Sequence, residues 1–131
     1  MRRQSPIPEA LMRRLMGFDA ADLGPHARAV LTDLRGAAMA GLPLAVIVLA
    51  AAFVDIIQHE DAGPAGYLDG AAFSFAGNKT DLGWLRGRRN AILHHEGPQD
   101  GLMGEADANL WLGADAARAI TAILAMLDDL P

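Results

Sequence analysis

Between Arg86 and His95 the chain sets three arginines (Arg86, Arg88, Arg89), one asparagine (Asn90) and two histidines (His94, His95) among small and apolar residues. A guanidinium carries permanent positive charge and a planar fork of donors that matches the oxygens of phosphate or carboxylate. An imidazole exchanges a proton near neutral pH. Together they supply what phosphodiester transfer needs when no metal takes part. One is a fixed cation for the charge that builds on the phosphoryl oxygens, the other a group that moves the proton of an attacking hydroxyl. The chain has no cysteine, which excludes disulfides, thiolate metal sites and a cysteine nucleophile. It also has no Gly-rich phosphate loop, no Gly-x-Ser-x-Gly elbow and no dinucleotide fingerprint. His59, Glu60, Asp61 and the pair His94 and His95 lack a His-x-x-x-His or comparable spacing, so neither a metal nor another cofactor is expected.

Such groups are useful only if a rigid element presents them. Thr80 or Asp81 is expected to cap a helix from Leu82 to about His94 or His95, which Gly97-Pro98 then stops. At about 100° per residue, Leu82, Leu85, Arg89, Ile92 and Leu93 share one side of that helix. Arg89 therefore points into an apolar stripe, where an unpaired guanidinium is costly and a partner is required. Asp55 is the first candidate because it alone interrupts the inner face of the preceding apolar helix; Glu60 is the second. Arg86 and Arg88 fall on the flanks and are expected to be solvated. His94 lies roughly 140° from Arg89 on an ideal helix. The two converge only if the helix frays at its end, or if two copies pair about a two-fold axis. His95 lies near Arg88 and competes for the same role. Each residue also has a plainer reading. Histidines at a helix C-terminus interact favourably with the last carbonyls, Asn90 can bond locally, and Arg89 with Asp55 can be a structural ion pair. His26 and His59 have no neighbours of matching chemistry and read as structural.

The remaining elements are expected to form the scaffold. In a 131-residue chain, 52% hydrophobic residues drawn from Ala, Leu, Ile, Val and Met rather than aromatics predict a single all-α domain. Its architecture is a four- to five-helix up-and-down bundle over residues 1–131, with 1–5 as a flexible tail. One helix spans Ile7 to Met16 and ends at Gly17. A second opens at Gly24-Pro25, carries Val30, Leu31, Leu34 and Ala38 inward and closes at Gly41. A third runs from Pro43 to about Gln58, antiparallel to the second and buried on all sides. A short helix near Pro64 to Phe75 and a loop from Gln99 to Ala108 follow. The last helix runs from about Leu110 to Leu130, with Leu112, Ala116, Ile120, Ile123, Leu124 and Leu127 inward. Ala37 to Val54 lacks charge and approaches the roughly 20 residues of a membrane span. Gly41 and Pro43 divide it, so no membrane partner is expected. No signal peptide is read at the N-terminus, and the location expected is cytoplasmic. The net charge of −5 argues against a broad nucleic-acid surface and for a focused anion site.

Arg89-Asn90-Ala91-Ile92-Leu93-His94 resembles the Arg-Asn-x-x-x-His signature of the HEPN superfamily, small helical domains of prokaryotic toxins, defence systems and RNA-processing proteins. The order of elements from Ala37 to Leu130 is similar as well: an apolar helix with an acidic residue (Asp55), the motif helix, a loop and a long last helix. The resemblance implies a HEPN-like bundle acting as a metal-independent endoribonuclease in a symmetric homodimer, with RNA as substrate and, for a toxin, a cognate antitoxin as partner. It assigns proton transfer from the RNA 2′-hydroxyl to His94, phosphate binding to Arg89, orientation to Asn90 and positioning of Arg89 to Asp55. His95 and Arg88 stand as supporting residues. The family also holds members that bind RNA, a nucleotide or a protein without cutting. A purely structural helical oligomer is the third reading; in it, removing Arg89 from a buried pair costs about 3–5 kcal/mol.

Overall fold

Proline and glycine punctuate the helices. The computed structural model describes residues 7–60, 77–95, 102–104 and 106–129, and among these there are five α-helices and no strand. They are α1 (Glu9–Gly17), α2 (Pro25–Ala40), α3 (Pro43–His59), α4 (Lys79–Leu93) and α5 (Ala108–Asp128). The all-α helical bundle expected from composition is the observed fold. The tail 1–5, the short helix near Pro64 to Phe75 and the Gly97-Pro98 stop lie outside the described residues. Pro25 and Pro43 stand at the start of their helices, where the missing N–H has no intrahelical partner to lose. Gly41 closes α2 with φ 71° and ψ 40°. Its N–H donates to the Ala38 carbonyl at 3.2 Å, and that of Leu42 donates to Ala37 at 3.0 Å. This paired closure needs a left-handed residue, which is why glycine stands there. The chain reverses within this turn, and α3 runs back along α2.

One buried cluster unites all five helices through Leu15, Leu31, Leu34, Ile47, Phe53, Leu85, Ile120 and Ile123. Ala27, Ala38, Ala50, Ala116 and Ala119 are fully buried, and side chains this small let helix axes approach closely. On α5 the six positions expected inward are buried, and so are Ala119, Ala122 and Met126, because the helix packs against α1, α3 and α4. Burial of α3 is less complete than expected. It packs against α2, α4 and α5, and three neighbours leave Val48, Ala52, Asp55 and Ile56 on a half-exposed side. Among the described residues α5 alone is long and apolar enough to cross a membrane, and 56% of that apolar window is buried within this fold.

Charged side chains from neighbouring helices close ends that the local sequence leaves open. Glu60, which follows α3, accepts from the His26 N–H at 3.1 Å and the Ala27 N–H at 3.2 Å. These are orphan donors of the α2 N-terminus, where Gly24 has no side chain to offer. A Cβ built on Gly24 would lie 2.2 Å from the Glu60 carboxyl carbon, so the glycine makes room for this tertiary cap. Arg35 of α2 does the reverse for α1, donating to the carbonyls of Leu15 at 2.9 Å and Phe18 at 2.5 Å.

Glu60→Ala should therefore lower the unfolding free energy by about 1–2 kcal/mol, read from urea melts. Gly24→Ala should cost a similar amount, because its methyl group evicts the carboxylate. The double variant should lie within about 0.5 kcal/mol of Glu60→Ala alone; additive losses would contradict the shared cap.

Candidate functional site

Asn78 begins the motif helix, its side-chain oxygen accepting from the Asp81 N–H at 3.1 Å, so the cap precedes the expected Thr80 or Asp81. Asp81 instead accepts from Arg118 of α5 at 3.1 Å, and the Arg118 guanidinium lies 4.1 Å from the centre of the Trp84 ring. Helix α4 is thus held by α3 on one side and α5 on the other. That second neighbour changes which residues are buried. Leu82 and Leu85 are buried as expected, and Arg86 is exposed. Leu93, assigned to the inward stripe, is 56% exposed. Arg88, assigned to a solvated flank, is only 8% exposed, and its Nε donates to Asp115 of α5 at 2.9 Å. A helical wheel drawn against one neighbour misses the face turned to the other.

Arg89 meets the partner expected of it. Its Nη1 donates to Asp55 Oδ2 at 2.5 Å. Its Nε and Nη2 approach Asn90 Oδ1 at 3.4 and 3.3 Å, both long for hydrogen bonds of this kind. Glu60, the second candidate, is committed to the α2 N-terminus instead. The pair lies at the edge of the core, with the Arg89 side chain 21% exposed and that of Asp55 41% exposed. A cavity of about 10 Å³ beside it, walled by Ala51, Val54, Leu82, Leu85 and Arg86, is the size of one water. An anion must therefore reach the guanidinium from the solvent side.

The helix ends one residue before the imidazoles. His94 has φ −130° and ψ 139°, although its N–H still donates to the Asn90 carbonyl at 2.9 Å. Helical periodicity stops at Leu93, so the angle of an ideal helix does not govern the His94 ring. Both His94 and His95 are exposed. None of the described hydrogen bonds or ion pairs joins either ring to Asp55, Arg89 or Asn90. One chain thus gathers Asp55, Arg89 and Asn90, and neither imidazole is bonded to them.

Sequence reasoning missed a cleft of about 290 Å³ lined by His26, Asp55, Ile56, His59 and Glu60. His26 and His59, read as structural, stand on its walls, and His59 Nδ1 lies 2.6 Å from the Asp55 carbonyl oxygen. The available signal was His59 one helical turn beyond Asp55, the spacing of neighbours on one helix face. Among the described residues no group of three or more His, Asp or Glu is arranged to hold a metal ion. No protein-family model, curated protein or solved structure matches the chain.

The unequal burial of the two ion pairs separates neighbouring arginines. Asp115 is 25% exposed, so Arg88→Ala leaves a poorly hydrated carboxylate and should cost about 2–3 kcal/mol. Asp55 keeps more water, and Arg89→Ala should cost about 1 kcal/mol, well below the loss from a buried pair. Chemical melts of the two variants measure the difference; an equal or reversed order would refute this assignment.

Proposed function

We propose that the chain is a metal-independent endoribonuclease of HEPN type that works as a homodimer in the cytoplasm, in the setting of a toxin with its antitoxin or of a defence system. The single observation that carries the reading is Arg89. It is anchored through Asp55 yet partly open to solvent, a little over one turn before two exposed imidazoles, the first of them on extended backbone. In the proposed reaction Arg89 of one copy holds the scissile phosphate and His94 of the other takes the 2′-hydroxyl proton. The 2′ oxygen bonds to phosphorus and the bond to the 5′ oxygen breaks. A 2′,3′-cyclic phosphate forms, and the departing oxygen takes up a proton from water. Arg89 lowers the barrier by stabilising charge on the phosphoryl oxygens, an effect on the order of 3 kcal/mol for a well-placed donor. Asn90 and Asp55 keep its fork in one orientation. His95 and Arg88 support the site as second imidazole and structural cation.

A second reading is a non-catalytic module that binds RNA, a nucleotide or a protein. The observation favouring it is Asp55 itself, whose carboxylate at 2.5 Å offsets much of the positive charge that a phosphate would meet.

Purified protein should cut RNA in EDTA, and His94→Ala or Arg89→Ala should each slow cutting by about a hundredfold or more. Mixing and re-pairing these two inactive variants should restore about one quarter of wild-type activity, since half the dimers are mixed and each has one intact site. No recovery would rule out a composite site. An intact protein that binds RNA without cutting it would leave the second reading in place.

A further inference from the structure

The reaction proposed above does not use the cleft between the start of α2 and the end of α3. Asp55 lines this cleft and also holds Arg89, so the two places adjoin through one side chain. At about 290 Å³ the cleft stands at the low end of the range for small-molecule sites, roughly 300–1,000 Å³. A single heterocycle fits that space and a whole dinucleotide does not. No lysine or arginine lines it, so it offers nothing for a phosphate. It offers two imidazoles, flat rings of the kind on which bases stack, and the apolar side chain of Ile56. Asp55 and Glu60 complete the mostly apolar lining, and their carboxylates, already bonded to Arg89 and to the α2 N–H groups, accept hydrogen bonds and do not donate them. The Glu60 carboxylate is fixed in place by the N–H groups of His26 and Ala27.

We propose that this cleft receives a base of the RNA whose phosphate Arg89 contacts, selecting bases with an exocyclic amino group over uracil. The inference rests on the ribonuclease reading and adds a preference to it. Adenine, cytosine and guanine present amino N–H groups to a carboxylate. Uracil presents one N–H between two carbonyl oxygens, and those oxygens would face the carboxylates unfavourably. Stacking on His26 or His59 differs little between cytosine and uracil, both single rings, so between these two the carboxylates supply the selection.

The test uses the full chain carrying His94→Ala, titrated with 5′-AMP, 5′-CMP, 5′-UMP and phosphate-free adenosine and followed through the histidine ring resonances by NMR. AMP and adenosine should move the His26 and His59 signals, and CMP should bind about fivefold or more tighter than UMP. His59→Ala and His26→Ala, both exposed positions, should each weaken AMP binding by a similar factor. An unchanged circular dichroism melt shows that these variants remain folded. Equal affinity for CMP and UMP overturns the selection, and AMP or adenosine leaving both ring signals unmoved overturns the site. Failure of the wild-type protein to cut RNA would count against the ribonuclease reading, and this titration would remain readable.

Discussion

The bond between Asp55 and Arg89 sets the relation of α3 to α4. Apolar contact is non-directional, and a seam of leucine, valine and alanine would tolerate sliding or rotation of one helix along the other. A guanidinium within that seam tolerates neither, since displacement leaves two charges without partners in a partly dry setting. The pair's partial exposure keeps its energy modest. Its effect is on register: Arg89 and Asn90 occur at one height and orientation because Asp55 occurs at one position on α3.

Adjacent arginines divide the remaining work. Arg88 turns to α5 and Arg89 to α3, so the motif helix is tied from two directions roughly 100° apart. The Arg118 guanidinium over Trp84, bonded to Asp81, adds a third tie nearer the N-terminus of α4. Ion pairs join elements remote in sequence at the far end of the bundle too, where Arg14 of α1 meets Asp128 of α5 at 2.7 Å. In a chain of net charge −5, two of the basic side chains of α4, Arg88 and Arg89, thus serve first as links between helices.

How much of this was legible in the sequence depended on whether the cause was local. Proline and glycine marked the ends of α2 and the start of α3, because their backbone preferences act within a few residues. Asp55 was legible as the partner of Arg89, since a lone carboxylate on an apolar helix needs a cation and the motif helix turned one inward. Arg88 was not. Its burial depends on α5 supplying Asp115, the one acid in the interior of that apolar helix, and pairing Asp55 and Asp115 with the two arginines was the inference available. The caps made by Glu60 and Arg35 were illegible for the same reason: each closes a helix end more than fifteen positions away. The cleft escaped because it arises where α2 and α3 meet; the spacing of Asp55 and His59 marks only its α3 wall.

The end of α4 bears on the question of two histidines. Extended backbone sends successive side chains to opposite sides, whereas a continuing helix would fan them around one axis. With His94 extended at the cap, its side chain leaves the helical spiral that aims Arg89 and Asn90. The direction of this imidazole is therefore set by rotation about one residue's own bonds, whereas the guanidinium stays fixed to the helix axis.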